Sequence, residues 1–433
     1  MEEVQKVDRV LLQKDFFALF KILSLGALND NILKNAFMVL LAFSGYTIFN
    51  LPQGQLLNIA AMMFILPYLI FSSYAGKIAD SSDKARIIRI IKLCEIIIML
   101  IAALGFIYHQ IMLLLLCLFF MGTHSAFFGP LKYSIVPQYL PRKSLVMANG
   151  YIEMGTFAAI LLGQAIGSWF MANGYMDLVI AIMLLVSITG YYFSRELRSV
   201  EIINHQVKFY KNVVKDSWTM YKAVSNNKLI RLNLHAISWF WALGIVFSTQ
   251  FPILTLHYIG GDAHVFSVLL IIFTLGIGFG SLICAKLSHA SIKHKYVIIG
   301  ALLMSVGYFI LLVMHRHNIN VYPHWKFFLQ TPDGLILIIT CLLIGLAAGF
   351  YSVTCYNEIQ LISPDSIRSQ IISANNILNA VYMVGASLIS SILLTFISVW
   401  WLLMLLAILN LLFIVIYSLN LKSAVDNSRA ISI

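Results

Sequence analysis

The chain has 433 residues, 60% of them hydrophobic and only 11% charged, and its mean hydropathy is +0.88. A soluble domain of this length carries roughly twice that share of charge, so the composition excludes a water-solvated globule and makes a bilayer the solvent. The net charge of +11 then belongs to loop topology, and nucleic acid is excluded as a partner.

The first residues, "MEEVQKVDRVLLQKD", are charged and hold no small-residue cleavage site, so no removable signal peptide is expected and the first span stays in the mature protein. A helix crosses about 30 Å of hydrocarbon with around 20 apolar residues. On that criterion, windows fall at roughly 16–44, 55–76, 87–107, 110–132, 145–171 and 175–194. The later part of the chain adds about 230–258, 262–285, 296–315, 334–355, 368–395 and 398–420. The expectation is an all-α membrane protein with twelve transmembrane helices.

Span one holds "GALNDNILKNAF", residues 26–37. An Asp or Lys at a helix centre costs about 2.5 to 3.5 kcal/mol on insertion scales, so Asp30 and Lys34 must face protein or water. They are four residues apart with the acid first, a spacing that predicts an ion pair, and Asn29, Asn31 and Asn35 extend the polar side. The pair reads either as a functional site or as a structural tie.

After span two comes "GKIADSSDKAR", residues 76–86, where Asp80 at a helix end can hold backbone and basic groups in one of two arrangements. In span three, Glu95 lies about one turn inside Lys92, and Lys21 and Lys92 are expected to snorkel toward helix ends. His124 in span four and His235 in span seven read as core residues, with proton transfer as the other reading. Lys132 and Glu153 sit on the neighbouring spans four and five and offer a second acid–base pair. Gly163 with Gly167, and Gly276 with Gly280, are spaced for close helix approach.

Basic residues cluster on one side: Lys6, Arg9 and Lys14, then Lys77, Lys84, Arg86 and Arg89, then Arg142 and Lys143, then Lys286, Lys293 and Lys295. The opposite loops hold little beyond Arg316 and Lys326. Both termini are therefore expected in the cytoplasm. The longest connector, 195–228, carries Lys208, Lys211, Lys215, Lys222 and Lys228 beside Trp218 and Tyr221, which suits a linker or an amphipathic helix on anionic lipid. Cys94, Cys117, Cys284, Cys341 and Cys355 form no CxxC pairing, so neither disulfides nor a metal site is expected. The chain has no phosphate-cradling loop, HExxH or Gly-x-Ser-x-Gly elbow. No enzyme, cofactor or ATP-driven pump is indicated, and a carrier is favoured.

An internal repeat supports this. "GTHSAFFGPLKYSIVPQYLP", residues 122–141, aligns with "GLAAGFYSVTCYNEIQLISP", residues 345–364. Phe127-Phe128 match Phe350-Tyr351, Tyr133 matches Tyr356, and Ala148-Asn149 and Ala374-Asn375 follow. The reading is a bundle over 1–194, a linker over 195–229 and a second bundle over 230–433, two related halves of six helices. This layout resembles the major facilitator superfamily, as does "GKIADSSDKAR", which implies a gate at Gly76, Asp80 and Arg86. The second copy, "GSLICAKLSHASIKHK", lacks the acid, so the latch is expected mainly in the first half.

The stretches "ALNDNILKNA", "GKIADS" and "FGPLKYSIVPQYLPRKSLVMANGYIEMGTFAAILLGQAIGSWF" resemble the bacterial lysophospholipid transporter family, more weakly continued in "SWFWALG", residues 238–244. The resemblance implies movement of lysophospholipids such as lysophosphatidylethanolamine across the bacterial inner membrane, for reacylation at the cytoplasmic leaflet. It places the family's polar residues on Asp30, Lys132 and Glu153, and Asn31 and Lys34 complete the candidate binding set. The sequence shows no acyltransferase domain, so that partner would be a separate protein. A base expected late in span seven is replaced by "GIVFSTQFP", and Lys34 is an additional cation. Phe127, Phe128, Trp239, Phe240 and Trp241 are candidates to line an acyl cavity or to pack helices. Two other readings stay open: a proton-coupled carrier for another amphiphile, drug or metal chelate, with protons on Asp30 and Glu153, and a membrane scaffold docking partners on the central basic loop.

Overall fold

The computed structural model describes residues 11, 13–43, 51–141, 144–200, 215, 218, 221–222, 225–288, 294–314, 325–362 and 368–431. Lys6, Arg9, Arg142, Lys143, Lys208, Lys211, Lys293 and Arg316 lie outside them, as do the side chains of Lys77, Asp80, Tyr133, Asn149, Glu153 and Lys286 and the surroundings of Gly76.

Among the described residues, twelve helices are long and apolar enough to cross a membrane. They are α1 (Lys14–Phe43), α2 (Gln53–Ser81), α3 (Lys84–Ile107), α4 (Ile111–Tyr139), α5 (Leu145–Ala172), α6 (Met176–Ser194), α7 (Lys228–Leu254), α8 (Ala263–Ser288), α9 (Lys295–Met314), α10 (Pro332–Ile362), α11 (Arg368–Leu393) and α12 (Val399–Ile431). The protein is all-α and multi-pass. Several helices outrun their hydrocarbon windows: α2 continues to Ser81, α10 to Ile362 and α12 to Ile431. Hydropathy reports only the part in lipid, whereas the backbone ladder continues into water wherever propensity and neighbours allow it.

On α3, Ile90, Leu93, Ile97, Leu100 and Leu104 are all about half exposed, while Ile88, Ile91, Lys92, Glu95, Ile98, Met99 and Ala102 are buried. The helical period thus turns an apolar stripe outward to lipid and the charges inward.

Contacts group the chain into two units, one comprising Met1–Phe37 and Met63–Asp216, the other Met38–Met62 and Ser217–Ile433. The first has a core of Phe16, Leu19, Ile22, Ile88, Leu131, Ile135, Ile152 and Leu197. Its α5 lies directly on α1: a Cβ on Gly163 would stand 2.5 Å from the Leu28 carbonyl oxygen, and one on Gly167 equally close to that of Ile32. In the second unit, α8 and α10 meet the same way, with Gly276 and Gly280 against Leu342 to Leu346 and Gly345 against Phe273. Small residues permit backbone-to-backbone packing where no hydrophobic force draws helices together. Neutral polar ties add to it: Asn410 Nδ2 donates to the Ala301 carbonyl (2.8 Å) and Ser305 Oγ (2.9 Å), and Trp239 Nε1 donates to Asn410 Oδ1 (3.1 Å). Thr249 and Gln250 of α7 bind Asn58, and Gln250 also binds the Gly54 carbonyl.

Candidate functional site

Successive residues on a helix turn by about 100°, so the polar stretch of α1 fans out within the first unit. Asn29 points to α3, where its Nδ2 donates to Glu95 Oε1 at 2.8 Å. Asp30 meets α4, its Oδ2 accepting from Ser125 Oγ at 2.6 Å. Asn31 and Asn35 donate back to the carbonyls of Ala27 and Asn31. Lys34 turns to α2, its Nζ 5.9 Å from the Phe64 ring centre. Asp30 and Lys34 are only partly buried, whereas the three asparagines are buried.

This corrects the expected ion pair: Asp30 and Lys34 are not joined within 4.0 Å. Ser125 binds one carboxylate oxygen, a hydrogen bond to a charged group worth about 1.5 to 3 kcal/mol, and Lys34 does not reach the other. The second oxygen, Asp30 Oδ1, has no hydrogen-bond partner. The site therefore offers an acid and a base on one face, near enough to feel each other but not in contact.

Behind it lies a cluster that sequence reading missed. Lys92 and Glu95 are fully buried and joined at 2.6 Å, and His124 Nε2 stands 3.1 Å from the same Glu95 oxygen. Lys92 thus does not snorkel; its ammonium is 5.4 Å from the centre of the Phe128 ring. His124 is not a lone core histidine, and its ring stacks on Phe128. The i,i+3 spacing of Lys92 and Glu95 was the signal that could have found the pair. Lys21 does run to a helix end, where its Nζ is 3.9 Å from Glu196 and over the Phe193 ring.

Of the other expected binding residues, Lys132 is partly buried on α4, seven residues beyond Ser125 and so on the same face, about 10 Å along the axis. The Glu153 partner proposed for it lies outside the described side chains. Among the aromatics, Phe128 and Phe240 are buried in the cores of their units, Trp239 is engaged by Asn410 and stacked on Phe413, and Trp241 donates to Tyr356. His235, expected in the core, is only partly buried and bridges two tyrosines, with Nε2 2.9 Å from the Tyr221 hydroxyl and Nδ1 2.8 Å from that of Tyr382.

Near the expected gate, Arg86 is exposed, and Lys84 is buried. Asp83 and Arg89 are both engaged. Asp83 caps α3 through the Ala85 amide (3.1 Å) and also accepts from the Val200 amide (3.2 Å). Arg89 donates to the carbonyls of Ser194 (3.3 Å) and Leu197 (2.5 Å). Tyr139 donates to the Arg198 carbonyl at 2.7 Å. Burial, with Asp15 and Asp83 nearby, holds the Tyr139 hydroxyl well above its ordinary value, so it remains a donor. An acid directly before an apolar helical run is the N-cap signature. In the second unit, His294 at the start of α9 lies 2.7 Å from the buried Glu358 of α10.

Comparison with known proteins agrees with this architecture. A family model described as Major Facilitator Superfamily matches residues 23–258. The chain is 27% identical over 170 residues to the lysophospholipid transporter LplT of Cronobacter sakazakii, covering 39% of each chain. It is 26% identical over 189 residues to that of Yersinia enterocolitica, covering 43% of each. The match therefore spans about two fifths of the length of these curated relatives. In fold, the chain is similar to the POT family transporter PepTSo, with a TM-score of 0.67, 11% identity and coverage of 94% of this chain and 98% of that one.

Proposed function

The chain belongs to the Major Facilitator Superfamily and is a membrane transporter, and from that premise we propose that it carries lysophospholipids, of the lysophosphatidylethanolamine kind, across the bacterial inner membrane by alternating access. The observation that carries the proposal is the separation of Asp30 from Lys34. A zwitterionic headgroup needs an acid for its ammonium and a base for its phosphate, and two groups already neutralising each other would have to be parted first. Asp30 keeps one oxygen unpartnered, and the Lys34 ammonium lies 5.9 Å from the Phe64 ring centre with no carboxylate of the described residues within contact distance. Lys132 and Glu153, as the resemblance to the lysophospholipid transporters suggests, and Asn31, from the polar side of α1, complete the proposed set.

In this reading the chain works as six-helix halves over 1–194 and 230–433 joined by 195–229, with both termini in the cytoplasm as the distribution of Lys and Arg favours. The gate is assigned to the segment of Gly76, Asp80 and Arg86, assisted by Asp83 and Arg89. Reacylation belongs to a separate acyltransferase. Purified protein in liposomes should speed the inward movement of lysophosphatidylethanolamine over empty liposomes; equal rates would end the proposal.

A second reading draws on Thr249 and Gln250. They occupy the stretch where the lysophospholipid transporters lead one to expect a base, and here they bind Asn58 and Gly54. This favours a carrier for another amphiphile, and transport that collapses with a pH gradient while ignoring lysolipid would select it.

A further inference from the structure

The Lys92–Glu95–His124 cluster is a built site. Glu95 Oε1 accepts from Asn29, and Glu95 Oε2 takes Lys92 and faces His124 Nε2. Two glycines make room for the ammonium: a Cβ on Gly26 of α1 would stand 3.0 Å from Lys92 Nζ, and one on Gly190 of α6 would stand 3.4 Å away. Lys92 and Glu95 cancel as a pair. His124 is the member whose charge is not fixed by that pairing, since an imidazole changes charge within the physiological range. Nε2 has Glu95 at ion-pair distance but neither ring nitrogen makes a hydrogen bond, and Nδ1 is buried with no described group facing it; the next residue along α4, Ser125, holds Asp30.

We propose that His124 is a proton-binding site whose charge is linked to what Asp30 holds. The proton comes from water, occupies Nδ1 and returns to water, with no bond to carbon and no electron transferred. The resulting imidazolium is favoured by Glu95 and by the negative charge of Asp30. Asp30 of α1 and Glu95 of α3 act on it directly; behind them stand Asn29 of α1 and Lys92 of α3 on Glu95, Tyr68 of α2 and Ser125 of its own helix beside Asp30, and Gly190 of α6 beside Lys92. The Glu153 side chain of α5 lies outside the described residues. A cationic cargo group on Asp30 cancels the charge that favours the imidazolium, so proton and cargo oppose each other, and the coupling is reciprocal. Only the identity of that cation rests on the lysophospholipid reading.

The test is ¹⁵N imidazole spectroscopy of the full chain in lipid nanodiscs, with the His124 signal identified by its loss in both His124→Gln and His124→Asn. With the pH lowered from about 8 to about 5 the signal should pass from neutral to cationic, and in Asp30→Asn it should do so at a lower pH than in the wild type. A signal that stays neutral across this range, or coincident transitions in the two proteins, would overturn the proposal. Saturating lysophosphatidylethanolamine should move the wild-type transition in the same direction as Asp30→Asn. If the lysolipid leaves it in place while Asp30→Asn still moves it, the proton site stands and the cargo assignment falls.

Discussion

The interiors of the two units solve the same packing problem with different chemistry. In the first, Asp30, Lys34, Lys92, Glu95 and His124 lie within membrane-spanning helices and contact one another's neighbours. In the second, the polar ties are amides, hydroxyls and an indole around Asn410, Asn379 and Tyr351. There an aromatic stack of Phe247, Phe251 and Tyr308 fills the centre. Among its described residues one acid is buried, Glu358, and its histidine partner stands at the start of α9. Neutral ties suffice to join helices, so the charges of the first unit are more than its packing requires. Their insertion cost is what makes that unit the place to look for the binding of a polar cargo group under the proposed function.

The largest test of this contrast removes half of the buried pair. Glu95→Leu leaves the Lys92 ammonium uncompensated and is expected to cost about 3 to 5 kcal/mol in unfolding experiments in micelles, with most of the loss recovered in the Lys92→Met, Glu95→Leu double variant. Next, Asp30→Asn should lower lysolipid transport roughly ten- to a hundredfold, the equivalent of about 1.5 to 3 kcal/mol, while leaving folded yield nearly intact; an equal loss of both would make Asp30 structural. In the second unit, Asn410→Leu should cost about 0.6 to 1.7 kcal/mol of stability and leave transport per folded molecule unchanged. A transport defect there would break the division of labour. The smallest effect is expected from His235→Phe, about 0.6 kcal/mol, read most directly as faster proteolysis near Tyr221.

The spans were legible in the sequence because the bilayer fixes their length, and α9 ends within a residue of its hydropathy window at each end. So was the close approach at Gly163, since small residues four apart mark a helix seam without reference to the partner. What Asp30 contacts was not legible. Its partner is 95 positions away on α4, while the rule of local spacing pointed to Lys34, and local spacing carries no information on a neighbour that only helix packing brings up. Lys92 looked like a residue that reaches for water because the slot between Gly26 and Gly190 exists only once α1 and α6 are packed.

That Lys92 and Glu95 share one helix has a consequence for biogenesis. A helix bearing either charge alone would meet the full penalty on leaving the translocation machinery, whereas an i,i+3 pair enters lipid as a single compact dipole. Helix α3 can therefore be released into the bilayer before α4 has been synthesised, and Asn29 and His124 can be fitted to it afterwards.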